Sequence, residues 1–547
     1  MKKPFLTVTL LLLSFLSVFA QNNIEEKQWH KVDSLLNSYY QPGTPGIAMA
    51  IIKKGKTVYS NQIGLADMEY GIPITDSTVF HIASVSKQFT AFLAVLLEKE
   101  GKLSMEDDLR QHLPELKQLP YKITLRQLAN HTHGLPNLFE LARLRGIGIE
   151  DRMTHREVVQ MLLNIKKINF KPGDKYEYNN TGYVLLAEVI ERIIGKPFQE
   201  ILKDRIFTPL GMMHSMAVDN SSLIVKNKAH SYRLTNGEYE NYAFNIMVNG
   251  SSGISTTIND LSKWAINFQH SENQEIFQEM QEKTTLNSGK ARHYGLGLEF
   301  KDYKGLKVVF HGGGDAGYRS YILHVPEHRF SIVLLGNNND FTPLKIVYET
   351  VDLLLKEYQK EPLSPKKVNY TTQELKRFEG TYKMFPGTYF NITAENDTLY
   401  FQSYGTHDKA PLPVIGDGDF LFPYIPTSKF SFYENGFNFH IADFKYDCKK
   451  VKLNAPKSKD INLIEYTGIY KSTAFNTVYE LVIKNNQLIA VHSFNDNIDL
   501  HPLSKDRFYS NKPFFGTLDF VKNEKGKIIE FQLSGQNLNS IKFKKIY

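Results

Sequence analysis

Two strand-rich blocks lie far apart in this 547-residue chain, and together they constrain the fold more than any other feature. The first, "GIAMAIIKKGKTVYSNQ" from Gly46 to Gln62, gives two apolar runs around Lys53-Lys54-Gly55-Lys56, a hairpin signal. The second lies between Tyr294 and Asn337, where "YGLGLEF", "KVVFHGGG", "SYILHVP" and "FSIVLLGN" read as consecutive strands with short turns. The sequence between the blocks is mainly helical and loop-rich, as in Thr154 to Ile165, "GYVLLAEVIERIIG" ending at Gly195, and "INDLSKWAINF". An antiparallel sheet built from both ends of one domain, with a helical insertion, fits this order. A final helix, "PLKIVYETVDLLLKEYQK", closes this α+β domain at about Lys360.

A linker containing Pro and Lys, "EPLSPKKVNYTTQEL", follows, and the composition then changes to aromatic-rich alternation. Two halves of this region resemble each other. "FEGTYKMF" at Phe378 aligns with "YTGIYKST" at Tyr466, and Phe420 with Phe508 and Phe430 with Leu518 keep the same offset. The simplest account is a pair of small all-β barrels, at 366–455 and 456–547, after the α+β domain at 21–360. Neither repeat carries an evident catalytic constellation, so both read as accessory modules.

The N-terminus, "MKKPFLTVTLLLLSFLSVFAQNN", places two lysines before an apolar stretch, with small or modest side chains ahead of a cut after Ala20. Residues 1–20 therefore read as a secretory signal peptide, which predicts an exported protein, periplasmic or secreted. No later run is long and apolar enough to span a bilayer, so no stable membrane insertion is expected after cleavage. The formal charge of +7 includes Lys2 and Lys3, and no dense Lys/Arg block stands elsewhere, which argues against a nucleic-acid partner. The lone Cys448 can form no intrachain disulfide and argues against Cys-based zinc sites and a Cys nucleophile.

Three stretches could do chemistry. In "HIASVSKQFTAFLAVLLEKEG", Lys87 sits one turn after Ser84 at the start of an apolar helix, where the dipole favours acidic residues. Ser84 or Ser86 capping the helix, with Lys87 in water, would explain this blandly. Alternatively, burial and the helix N-terminus push Lys87 toward its neutral form, a base for a Ser84 nucleophile. Backbone N–H groups beside Ser84 could then hold a developing oxyanion. In "KPGDKYEYNNTGYVLLAEVIERIIG", Tyr178 and Asn180 stand in a polar loop before an apolar helix, where Asn180 or Thr181 could equally be a cap. In "KVVFHGGGDAGYRSY", His311 ends a strand and the glycines allow close backbone approach, unless the stretch is only a turn with a surface histidine. His131 and His133 in "HTHGLPNL" lack a third ligand at useful spacing, so no metal is expected. "NGSSGIST" lacks the spacing of a nucleophile elbow, and "HGGGDAG" lacks the ending of a P-loop.

Ser-x-x-Lys, Tyr-x-Asn and His-x-Gly in this order resemble the penicillin-recognising serine hydrolases of the class C β-lactamase type. "TPGIAMAIIKKGKTVYSNQIGLAD", "HTHGLPN" and "GSSGISTTINDLSKW" extend the resemblance over about residues 40 to 340. It implies Ser84 as nucleophile, Lys87 as its partner, Tyr178 as proton shuttle, and Asn180, His311 and Gly313 in substrate binding. The oxyanion hole would be the N–H groups of Ser84 and Gly314. The family fold is an antiparallel sheet flanked by helices, with a helical subdomain. One departure matters: many β-lactamases carry Lys-Thr-Gly where this chain has His311-Gly312-Gly313. The cation and hydroxyl that would bind a β-lactam carboxylate are both replaced, as in the D-aminopeptidase and esterase branches. D-aminopeptidases of the family also carry two C-terminal barrels.

The resemblance thus implies an exported serine hydrolase working through an acyl-Ser84 intermediate, with no metal or organic cofactor. The expected substrate is a small molecule or short peptide containing a D-residue, such as a cell-wall fragment. β-Lactam hydrolysis is the alternative, followed by ester hydrolysis and a non-catalytic penicillin-binding sensor. Either Tyr178 or His311 would protonate the leaving group.

Overall fold

The computed structural model describes residues 28–360, 368–404, 408–422, 428–441, 444–453, 456 and 461–546. The signal segment and the predicted boundaries at 20–21, 366 and 455 lie outside the described residues. The chain divides into two compact units: residues 1–103, 190–284 and 291–361 form one, and residues 104–189, 285–290 and 362–547 the other.

The first unit is built on a six-stranded antiparallel sheet. Its strands are β1 (Ile47–Lys53), β2 (Lys56–Ile63), β3 (Glu299–Tyr303), β4 (Leu306–Asp315), β5 (Tyr318–Val325) and β6 (Phe330–Gly336), in the order β3-β4-β5-β6-β1-β2. The two distant blocks meet where β1 pairs with β6, from Ile47 opposite Gly336 to Lys53 opposite Phe330. Lys54 and Gly55 close the first hairpin with φ of +51° and +77°, the left-handed values that a two-residue turn demands. The "YGLGLEF" stretch becomes a strand only from Glu299, later than its apolar pattern suggests.

Alternation along the strands gives the sheet two apolar faces. Met49, Ile51, Phe310, Leu323 and Leu334 share one core with Val32 and Leu36 of a helix over 28–38 and with Ile346, Val347 and Val351. The last three belong to the closing helix, which spans Pro343–Leu354 and gives way to a short turn at Lys356–Tyr358. On the other face, Phe268 ends a helix over Ile258–Phe268 and stacks on His324 of β5 at 3.8 Å. Trp264 of that helix stacks on Phe89 at 4.2 Å, which brings in the helix Ser86–Lys99, buried along most of its length.

The second unit combines a helical segment with the two β-modules. The first module is a nine-stranded antiparallel sheet around a phenylalanine-rich core. Its outermost strands, Ala410–Leu412 and Val414–Gly416, are consecutive in sequence and separated only by Pro413, so the sheet curls until its edges nearly meet. The second module is a closed barrel of eight strands between Gly468 and Lys545. The internal repeat is visible as chemistry: Tyr382 donates to the Phe378 carbonyl at 2.7 Å, and Tyr470 donates to the Tyr466 carbonyl at 2.9 Å. Cys448 is buried in the first module, where burial pushes its thiol far above the ordinary range.

Candidate active site

Neither Ser84 nor Ser86 caps the helix. A short 3-10 turn over Ala83–Val85 leads into it, Val85 stands at the cap position, and no side chain caps the N-terminus. The Ser86 hydroxyl instead accepts from the Ile254 N–H at 3.3 Å. Ala83 has φ of +47°, a conformation that costs a non-glycine residue of order 1–3 kcal/mol and that turns the chain sharply just before Ser84.

Lys87 is fully buried and points back at Ser84, with Nζ 3.0 Å from Ser84 Oγ and 2.8 Å from the Ser251 carbonyl oxygen. Burial brings its pKa down to about 7, against the pull of the Asp315 carboxylate, which raises it. A lysine in that range is a usable base near neutrality.

The third stretch comes alongside from β4. Gly313 has no room for a side chain, since a Cβ there would stand 2.4 Å from the Ile82 carbonyl and 3.1 Å from the Ser84 nitrogen. The glycine therefore serves the close approach of two backbones. Among the described residues β4 pairs with β3 only up to Phe310, so His311 to Asp315 have strand partners on the β5 side alone. Period-two alternation puts His311, Gly313 and Asp315 on the face turned toward Ser84.

His311 is not a surface residue. It is 1% exposed, and its pKa falls to about 3, chiefly through burial and further through the Lys87 charge. Its Nδ1 lies 2.7 Å from the Gly312 carbonyl, which can only accept, so Nδ1 carries the proton. Nε2 is then the acceptor for the Tyr294 hydroxyl at 3.1 Å. The ring is thus a neutral positioning group and has no Nε2 proton to give.

Tyr178 and Asn180 belong to the second unit, where "HTHGLPN" forms their cradle. The Tyr178 ring lies 4.4 Å from that of His131, and His131 Nδ1 accepts from the Asn179 N–H at 3.2 Å. Asn137 Oδ1 accepts from the Asn180 N–H at 3.0 Å. The helix Asn180–Ile194 is capped by Asn179, whose Oδ1 accepts from the Thr181 N–H at 2.8 Å while its Nδ2 donates to the Leu135 carbonyl at 2.6 Å. Capping therefore falls to Asn179, not to Asn180 or Thr181. His133 is buried and held neutral, its pKa near 3, and its Nδ1 accepts from the Leu135 N–H. Both histidines are parts of this support. The second barrel contributes as well, through Asn537 at its last hairpin turn. Asn537 offers its carbonyl to the Asn137 N–H at 3.3 Å and the Asn169 amide at 2.9 Å, and its amide reaches the Tyr178 carbonyl at 3.4 Å.

Sequence reasoning weighed His131 only as a metal ligand and assigned no role to Asn137, Asn179, Ser251, Tyr294 or Asn537. All but Asn537 stand in or beside a quoted motif, yet the bonds they form appear only when distant segments meet.

The β-lactamase family model matches residues 21–355. Penicillin-binding protein 4* of Bacillus subtilis (strain 168) is 29% identical over 385 residues, covering 64% of this chain and 82% of that protein. A D-aminopeptidase of Brucella anthropi is 30% identical over 296 residues, covering 54% of this chain and 56% of its own length. The octameric penicillin-binding protein homologue from Pyrococcus abyssi has a similar fold, with TM-score 0.55 and 24% identity, over 86% of this chain and 98% of its own. D-amino acid amidase from Ochrobactrum anthropi SV3, complexed with L-phenylalanine amide, aligns with TM-score 0.51 and 24% identity over 61% of this chain and 98% of its own. With the Ser84–Lys87 pair and the glycine strand beside it, the family match identifies the chain as a member of the β-lactamase family of serine hydrolases.

Proposed function

We propose that the chain cleaves a peptide or amide bond in small substrates bearing a D-residue, through an acyl-Ser84 intermediate. The observation that carries this reading is the buried Lys87 Nζ at 3.0 Å from Ser84 Oγ. In its neutral form Lys87 accepts the Ser84 proton as Oγ attacks the carbonyl, while Nζ–H keeps its bond to the Ser251 oxygen. The Ser84 and Gly314 N–H groups receive the oxyanion, and Gly313 lets the two backbones close on it. Tyr178 shares the proton transfers and protonates the leaving group, and Asn180 orients the substrate amide, as the family resemblance implies. His311 has no part as an acid, because its neutral ring holds its one proton on Nδ1 against the Gly312 carbonyl. Water then attacks the acyl-enzyme with the same groups in reverse roles.

The neutral His311 supports a substrate without a carboxylate at that point, and the similarity to a D-aminopeptidase supports an amide with a D-residue. A cell-wall fragment is a substrate of this kind. The second reading, β-lactam turnover, is supported by the β-lactamase family match; the similarity to penicillin-binding protein 4*, covering 82% of that protein, supports no more than penicillin binding. The leader-like residues 1–20 support export; a mature protein beginning at Gln21 in the cell envelope or medium would test it.

The deciding experiment is intact-protein mass after mixing with excess benzylpenicillin and quenching within seconds, beside hydrolysis of D-alanine p-nitroanilide. We expect anilide turnover that Ser84→Ala abolishes. Rapid consumption of the drug without anilide turnover would favour the β-lactamase reading. Turnover retained in Ser84→Ala would overturn the mechanism.

A further inference from the structure

A second polar cluster lies behind the Ser84–Lys87 pair, in the same unit. His81 Nε2 stands 2.9 Å from Asp315 Oδ2, Ser252 Oγ donates to that same oxygen at 2.8 Å, and Ser252 Oγ lies 3.1 Å from His81 Nε2. His81 and Ser252 are each 4% exposed, and the Asp315 side chain 12%. A hydroxyl has one proton, and Ser252 gives it to Asp315, so the His81 Nε2–H is the donor in both remaining contacts. The cluster has the composition of a hydrolase triad without its wiring. In a triad the carboxylate and the serine take opposite nitrogens of the ring, whereas here both meet at Nε2. It therefore generates no nucleophile.

Its three members come from three chain segments of the first unit that also hold Ser84, the Ser251 carbonyl on Lys87, and Gly314. His81 is three residues before Ser84, in a short strand, Phe80–His81, paired with Ile254–Thr256. Ser252 follows Ser251, whose carbonyl holds Lys87 Nζ, and Gly250 is tied back to the helix by the Thr90 hydroxyl at 2.8 Å. Asp315 follows Gly314 on β4 and shares the face of His311 and Gly313. One carboxylate oxygen thus joins the nucleophile turn, the loop that orients the base, and the strand that supplies the second oxyanion donor. The His81 ring is further packed by Phe244 at 5.1 Å and Tyr318 at 5.6 Å.

We propose that Asp315 is a positioning residue for the hydrolysis, acting through His81 and Ser252 to hold Ser84, the Ser251 carbonyl and Gly314 in register. The assignment rests on the reading of Ser84 and Lys87 as nucleophile and base. The Asp315 charge also acts on Lys87 and opposes the effect of burial. Among the described residues, the other titratable or charged groups near Lys87 and Asp315 include His81, Tyr318 packed on the His81 ring, the neutral His311, and Arg319 beside Gly314. Asp315 accordingly raises the pH at which the base becomes active, against the larger effect of burial, besides holding its geometry.

The test compares Asp315→Asn, Ser252→Ala and Ser84→Ala with the full-length wild type. D-alanine p-nitroanilide and p-nitrophenyl acetate serve as substrates, and a fluorophosphonate probe counts competent Ser84. For Asp315→Asn we expect kcat to fall at least tenfold per competent site with KM within threefold. The acid limb of kcat/KM should move to lower pH, because losing the carboxylate favours neutral Lys87. Ser252→Ala keeps the charge, so its kcat should fall less and its acid limb stay in place. That variant also carries the test if Asp315→Asn does not fold: wild-type kcat in Ser252→Ala would then overturn the proposal. So would an unchanged kcat in Asp315→Asn, or a loss of stability and competent sites with an unmoved acid limb. If Ser84→Ala retains turnover, the hydrolase reading fails and the proposal with it; if Ser84→Ala is inactive while Asp315→Asn matches wild type, the proposal alone fails.

Discussion

Lys87 carries two opposing demands. The proposed role as base requires a pKa near neutrality, and the fold supplies this by burying the amine, which weakens the folded state. The folded-state pKa is about 7, against an ordinary value of 10.5. Between these pH values the unfolded chain binds the proton that the folded one has released, so stability rises with pH across the window and is lost as pH falls toward 7. Lys87→Met should therefore raise the unfolding free energy at pH 7 by on the order of 2 kcal/mol, after allowing for the lost bond to Ser251, and so raise the melting temperature, while abolishing turnover. Thermal melts at pH 7 and pH 10 check this, and the gain should shrink at the higher pH. In the wild type, kcat/KM should rise with pH through about 7 and then level off. A pH profile peaking below 6 would contradict a neutral-lysine base.

At the scale of elements, a strand end stands beside Ser84 in the first unit, and a capped loop carries Tyr178 and Asn180 in the second. Gly313→Ala would place a methyl group 2.4 Å from the Ile82 carbonyl, forcing β4 away from the Ser84 turn. We expect a loss of about 1–3 kcal/mol in stability from overpacking. Turnover should fall by roughly a hundredfold or more, as for loss of an oxyanion donor; melting curves and single-substrate kinetics read the two effects separately. Asn179→Ala removes the cap of the helix Asn180–Ile194 and leaves the Leu135 carbonyl without its 2.6 Å partner. Its cost should be about 1–2 kcal/mol, with a drop in kcat because Tyr178 and Asn180 flank it.

At the scale of the whole chain, the second barrel holds the loop that carries Tyr178 through hydrogen bonds that its composition did not announce. Asn537 offers its carbonyl to Asn137 and Asn169, and the barrel's Tyr479 and Asn495 side chains donate to the Leu144 and Arg143 carbonyls at the end of the helix Leu138–Leu144. Asn537 has φ of +54°, so Asn537→Gly keeps the turn while losing the amide that reaches Tyr178. We expect a several-fold fall in kcat from that change, and a larger one from deleting residues 536–538. Equal activity in all three proteins would make the barrel a spectator.

Much of this protein was decided along the chain. The hairpin at Lys54-Gly55, the strands of the C-terminal block, the apolar helices and the repeated aromatic modules follow from local spacing and turn chemistry, which neighbouring residues enforce on one another. The motifs that contain Ser84, Lys87, Tyr178, Asn180, His311 and Gly313 could be picked out along the chain because their spacings are fixed within short stretches. The working states of these residues could not. Whether Lys87 is a solvated cation or a base near pH 7 depends on complete burial, and whether His311 carries charge depends on its burial and on the Lys87 charge. The Gly312 carbonyl and Tyr294 fix which nitrogen of His311 holds its proton. Asp315, His81 and Ser252 looked like incidental neighbours of motifs until three segments, far apart in sequence, converged on one oxygen. Spacing passes from sequence to structure unaided, because it is covalent. Burial, charge state and hydrogen-bond partnership arise between segments that only tertiary packing brings together.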